Sequence, residues 1–180
     1  MSSLHLIIMI AVLVPLAAII TYHDVRYRRI PNSFVLGTLV SGLVTNFATG
    51  RWEGLVSSLA GFSLAFALMF IQYYFGGLGA GDVKLFAAIG SLIGFKLVLP
   101  TFLIVLLIGG VVAAVSMLKA GVVRQTMVNV WMILTGLLMG WKMTHRSEMV
   151  KTNLTIPYGV AITFGSLISI VGAFVQTGTR

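Results

Sequence analysis

The sequence predicts an all-α, polytopic membrane bundle of about six transmembrane helices, and three observations carry that reading. Mean hydropathy is +1.05, with 58% hydrophobic and only 9% charged residues. Apolar runs long enough for a bilayer of about 30 Å recur along the chain. Basic residues gather in the short segments between them, as expected of cytoplasmic loops. In order, the apolar windows cover residues 4–22, 33–49, 54–75, 83–95, 97–118 and 156–176. The first lacks a basic n-region and an A-x-A cleavage site, so it reads as a permanent span and not a removable signal. The second opens at Pro31-Asn32-Ser33, where proline enforces a break and Asn32 or Ser33 can cap a helix. The fourth is short; it begins below the headgroups or is shielded by neighbours. The last opens at Ile156-Pro157-Tyr158-Gly159, with proline near the first turn. The spans consume most of the chain, so residues 1–180 read as one membrane-embedded domain.

Residues 128–141 are apolar but short, between Arg124 and Lys142. They either span or lie at the interface as an amphipathic helix. With six spans and the N-terminus outside, the cytoplasmic segments hold Arg26, Arg28, Arg29, Lys84, Lys119, Arg124, Lys142, Arg146 and Lys151. The outside keeps Arg51, Lys96 and Arg180. A crossing by 128–141 would move Lys142, Arg146 and Lys151 outward and erase most of that bias, so the charges favour six spans and an interfacial helix.

Composition also narrows the chemistry. The chain has no cysteine, which excludes disulfides, thiol catalysis and a cysteine-based zinc site. His5, His23 and His145 are far apart and have no metal-ligand spacing, so no metal is expected; His23 reads as an interfacial histidine or as a modulator of its neighbour Asp24. The net charge of +8 lies on residues flanking spans, not along one basic face. Anchoring to membrane lipid is therefore expected, and nucleic acid is not.

Against this background the chain has only two aspartates, Asp24 and Asp82. Ionisable groups at membrane depth are costly and suggest function. Two spans separate them, so both return to the cytoplasmic face. Each also has a structural reading. Asp82 follows Gly76-Gly77-Leu78-Gly79-Ala80-Gly81 and precedes a helical run, the place of an N-cap. Asp24 falls at or just past a helix C-terminus, where the macrodipole disfavours an anion and Arg26, Arg28 and Arg29 could offset it. Gly76, Gly77, Gly79 and Gly81 permit positive φ and leave room for an extended peptide, or simply form a tight connection. Lys84 snorkels to headgroups or tunes Asp82.

Together these strings resemble the type IV prepilin peptidases, membrane aspartic proteases of the GxGD group. The resemblance rests on Asp24 with Ile30-Pro31-Asn32, on Gly79-Ala80-Gly81-Asp82-Val83-Lys84, and on Ile156-Pro157-Tyr158-Gly159. It implies that Asp24 and Asp82 are the catalytic pair. Pro31, Asn32, Gly79, Gly81, Lys84, Pro157, Tyr158 and Gly159 would bind substrate or shape the site. It further implies a prepilin substrate, with a basic leader and a hydrophobic helix, cut at the cytoplasmic boundary of the bacterial inner membrane, and no cofactor. Long members carry a cytoplasmic domain with paired CxxC motifs linked to N-methylation. This chain has neither cysteines nor a long first loop. It therefore looks like the short subfamily serving Tad/Flp-type pili (CpaA/TadV-like), with no methyltransferase domain.

Two close carboxyls share one proton near neutral pH. The position of Asp82 near a helix N-terminus suggests that it ionises more readily than Asp24, although the arginines beside Asp24 pull the other way. A small proton-coupled transporter and a noncatalytic pilus-assembly factor are the rival readings. Transporters usually place such groups near the midplane and show inverted repeats.

Overall fold

In the computed structural model, the described residues are 3–27, 30–74, 78–124, 126–128, 131 and 158–178. They form the helices α1 (Ser3–Tyr27), α2 (Asn32–Tyr74), α3 (Ala80–Ile93), α4 (Phe95–Ala120) and α5 (Tyr158–Gly178), with no strand among them. Four stretches are long and apolar enough to cross a membrane: Ile7–Asp24, Asn32–Tyr74, Phe95–Ala120 and Tyr158–Val175. Apart from Val128 and Trp131, the expected interfacial segment 128–141 lies outside the described residues.

The chain forms two compact units, Met1–Gly109 with Pro157–Arg180, and Gly110–Ile156. In the second, α4 ends at Ala120 and Gly121 turns the chain with φ 67°, its N–H donating to the Leu118 carbonyl at 3.2 Å. The first unit holds the core and both aspartates.

The expected second and third spans appear as one element, α2, broken at Arg51, whose φ of 50° and ψ of −130° are non-helical. The break reverses the chain. Gly42 packs on Ser91 and Leu92 of α3, and Gly61 packs on Gly90 of the same helix. In a straight helix those two glycines would lie about 28 Å apart. The halves of α2 therefore form an antiparallel hairpin that straddles α3.

Helix α3 is the centre of this unit. Its 14 residues rise about 21 Å, too little to cross a bilayer. Val83 and every residue from Leu85 to Ile93 are buried. Of the two explanations for a short fourth segment, shielding by neighbours is the one observed. The buried stripe Met9, Leu13, Leu16 and Ile20 of α1 and Ile162 and Ile170 of α5 complete the core.

A helix that ends inside protein needs partners for its last carbonyls. The Asn46 Nδ2 lies 3.0 Å from the carbonyls of Ser91 and Leu92, and also 3.0 Å from Gly42 O on its own helix. Ser58 Oγ donates to the Ser91 carbonyl at 2.7 Å. Gly94 then turns the chain with φ 73°, and the Phe95 N–H donates to Ser57 Oγ at 3.3 Å. A side chain at Gly94 would meet Ser57 Oγ at 2.9 Å.

Three substitutions test this packing by thermal unfolding in detergent. A Cβ at Gly61 would collide with backbone atoms of Gly90 and Gly94, so Gly61→Ala should cost roughly 1–3 kcal/mol. Gly37 has nothing within 4 Å, and Gly37→Ala should be neutral or stabilising by up to about 1 kcal/mol. Asn46→Leu strips the α3 carbonyls of a donor and should cost roughly 1–2 kcal/mol, the upper range for hydrogen bonds between membrane helices.

Candidate active site

Three helix ends meet at the end of α3 that carries Asp82. Asp24 lies in the last turn of α1, which runs on to Tyr27, so the residue is inside the helix and not past its end. It is buried, with 7% of its surface exposed. Gly159, in the first turn of α5, sits directly on it: a Cβ there would be 2.8 Å from Asp24 Oδ2 and 3.1 Å from Ile20 Cγ2. Only glycine lets the α5 backbone come this close.

Asp82 is not the N-cap of α3 but its third residue. Gly79 occupies the cap, with φ −83° and ψ 152°. The Gly79 N–H donates to Asp82 Oδ2 at 3.1 Å, which is half of a capping box. The capping role expected of Asp82 is thus real but exercised from inside the helix. Gly79 does not use positive φ, contrary to the reason expected for glycine there, and Gly76 and Gly77 lie outside the described residues. Gly81 faces Ile30, whose Cβ would lie 3.5 Å from an added methyl. That contact brings the segment before α2 against the first turn of α3.

Asp82 stands ahead of the apolar part of α3, outside the four span-length stretches. Burial pushes its carboxyl up to about 6, the Gly79 N–H opposes the shift, and the Asp24 charge adds to it. A helix N-terminus thus does not hold the Asp82 carboxyl in the usual carboxylate range, because desolvation outweighs it. Lys84 is exposed on the same turn and is not among the causes. Tyr158 is half-buried, feels the Asp82 charge, and lays its ring on Gly109, where a Cβ would meet Cε1 at 2.7 Å.

Of the residues expected at the site, Asp24, Asp82, Gly79, Gly81, Tyr158 and Gly159 are brought together by these contacts. Pro31 accepts the Phe34 N–H at 3.2 Å at the start of α2, and Asn32 is exposed beside it. Pro157 lies outside the described residues, as do Arg28 and Arg29. His23 packs among rings, 5.4 Å from Tyr27, 5.8 Å from Tyr22 and 6.2 Å from Phe34. Three contributors were not among the expected site residues. Ile30 supports Gly81, and Gly109 receives Tyr158. Thr21, three residues before Asp24, carries a buried hydroxyl without a hydrogen-bond partner among the described residues. Only Thr21 left a signal, its i−3 spacing from Asp24.

The fold and this site define a helical membrane protein in which the Asp24 charge bears on the Asp82 carboxyl. The profile of the type IV leader peptidase family matches residues 11–114, and the chain belongs to that family. It is similar to a prepilin leader peptidase/N-methyltransferase of Bacillus subtilis (strain 168), 30% identical over 117 residues, which is 63% of this chain and 46% of the relative. It is also similar to a preflagellin peptidase of Methanococcus voltae, 30% identical over 79 residues, 42% of this chain and 34% of the relative. The match thus spans less than half the length of either relative. No solved structure matches.

The electrostatic contact between the aspartates is directly measurable, because carbon-13 labelling of aspartate yields only two side-chain carboxyl signals. In the wild type the Asp82 signal should titrate near pH 6. In Asp24→Asn the neighbouring negative charge is gone, so the Asp82 midpoint should fall; an unchanged midpoint would show that the two do not interact.

Proposed function

We propose that the chain is an aspartic endopeptidase that removes the leader from prepilins, with Asp24 and Asp82 as the catalytic pair. The observation that carries this reading is the approach of the chain's only two aspartates, from the end of α1 and the start of α3, close enough for one charge to shift the other. The substrate class comes from the relatives, named for prepilin and preflagellin. Within these 180 cysteine-free residues the reading is peptidase alone, in the manner of the short Tad/Flp-type members.

Two adjacent carboxyls cannot both ionise cheaply, so the pair holds one proton between them. The ionised member takes a proton from a water as that water attacks the scissile carbonyl carbon. The protonated member donates to the carbonyl oxygen, giving a tetrahedral intermediate. Its collapse breaks the C–N bond as a proton passes to the leaving nitrogen. Charge supports a cytoplasmic site: Arg26 and Lys84 lie at the aspartate end, while Arg51 and Lys96 lie at the other. A site at the boundary would meet a leader where it joins its apolar helix.

Co-expression with a prepilin in a peptidase-deficient host, with leader removal followed by mass, tests the reading. Asp24→Asn and Asp82→Asn, checked for membrane level, should each lower cleavage by at least about 100-fold. Cleavage that survives either substitution would exclude the dyad. Activity of the purified enzyme should fall as pH rises past the pair's second ionisation, because the proton donor is then lost. The apparent pKa of that limb belongs to the pair and should not lie below about 6.

A further inference from the structure

At the far end of α3, about 17 Å from Asp82 along the helix, the surface carries a feature unrelated to the aspartates. An open groove of about 530 Å³ is lined by Trp52, Glu53, Val56, Ser57, Ala60, Phe95 and Lys96. Trp52, Val56 and Ala60 recur every four residues and form one wall of the hairpin's second arm. Phe95, at the start of α4, forms the other wall, held by the bond from its N–H to Ser57 Oγ. The walls are apolar and only the rim is charged, with Glu53 and Lys96 on it. Arg51 is exposed at the turn just before. Among the described residues, none of these three forms an ion pair.

We propose that this groove binds a phospholipid with a zwitterionic phosphoethanolamine headgroup, acyl chain against Val56, Ala60 and Phe95. Charge complementarity selects this headgroup. An apolar trough at the headgroup boundary suits a lipid chain, and the cations of Lys96 and Arg51 suit its phosphate. Those features alone would favour an anionic lipid. Glu53 is one of two glutamates in a chain of net charge +8, and it stands on the rim of this groove. A carboxylate there repels an anionic headgroup and accepts a hydrogen bond from an ammonium. Phosphoethanolamine presents both charges in one headgroup, whereas phosphoglycerol presents only the negative one. Trp52, edge-to-face with Phe47 at 6.3 Å and 72% exposed, stands where interfacial tryptophans concentrate.

Trp52 is also the reporter. With Trp131 and Trp141 replaced by phenylalanine, it is the sole tryptophan of the full chain. The protein is reconstituted into dioleoylphosphatidylglycerol vesicles. Chain-brominated phosphatidylethanolamine or phosphatidylglycerol is then added, and quenching gives the relative affinity of the two. The ethanolamine lipid should be preferred by roughly two- to fivefold, the range of an exposed ion pair. Glu53→Gln should bring that ratio to about one, and Lys96→Gln should weaken quenching by both lipids. Equal affinity for the two lipids in the unsubstituted rim, or a ratio unmoved by Glu53→Gln, would reduce the groove to ordinary annular contact and overturn the proposal. Absence of quenching by either lipid would mean that a protein surface, a second copy included, covers the groove, and would overturn it too. Circular dichroism of each variant separates these outcomes from misfolding, and Glu53→Asp, which keeps the charge, should keep the preference.

Discussion

Everything in the first unit depends on a helix that is too short for the membrane and yet buried along nearly its whole length. A helix whose C-terminal end is buried cannot send its last carbonyls to water, so the surrounding protein must receive them. At the C-terminal end the receivers are Asn46 and Ser58 from the two arms of the α2 hairpin. A buried carbonyl left without a donor costs roughly 1–3 kcal/mol, while a single hydrogen bond between membrane helices is worth about 0.6 on average. The asymmetry says what the cluster is for. Its net gain is modest, but its loss is expensive, so it fixes the depth of α3 more than it adds stability. The depth of α3 in turn sets the depth of Asp82.

At the N-terminal end, where Gly79 and Ala80 are exposed, Asp82 takes the Gly79 N–H, which gives that residue two competing demands. Accepting the Gly79 N–H favours the ionised carboxylate. Burial and the nearby Asp24 favour the neutral acid, and they win, since the group is held at about 6. A carboxyl that both caps its helix and gains protons this easily couples chemistry to the position of α3. Removing its charge weakens a cap; moving the helix changes its proton affinity. Backbone geometry at Gly79 and Gly159 therefore helps to set the two members of the proposed dyad.

The sequence made the helical class, the break near Arg51 and the two aspartates legible, because hydropathy and charge act locally. The short apolar run at 83–95 announced an unusual span through its length, but left open whether it began below the headgroups or was shielded by its neighbours. Other features depend on contacts between distant residues and left little trace. Nothing near Gly109 announces that Tyr158 will lie on it, and Ile30 looks like any apolar residue before a proline. The readings of Gly79 and Asp82 failed for a related reason. Glycine beside an acid suggested positive φ and an N-cap, but the cap shifted by three residues, so glycine is the cap and aspartate closes the box from within. The helix dipole acts on Asp82 only locally, while desolvation by the surrounding helices is the largest influence on its carboxyl.

Helix α5 shows most clearly how a distant segment completes the site. The family match covers residues 11–114, which contain both aspartates, Pro31-Asn32 and the glycines, but α5 begins at Tyr158. Two contacts set its register. Gly159 admits Asp24 at one end, and ten residues on Ser169 shares a buried 2.7 Å hydrogen bond with Thr101 of α4. Between them Gly165 lies against Val105, where a Cβ would meet Cγ2 at 2.7 Å. A slide of one residue along α5 would replace Gly159 at Asp24 with Tyr158 or Val160, and neither fits in the space a methyl already overfills. The same slide would part Ser169 from Thr101 and leave both hydroxyls buried. Steric exclusion at one end and a polar bond at the other therefore oppose the same displacement. That agreement keeps the backbone of α5 against Asp24 while Tyr158, one residue earlier, stays within reach of the Asp82 charge.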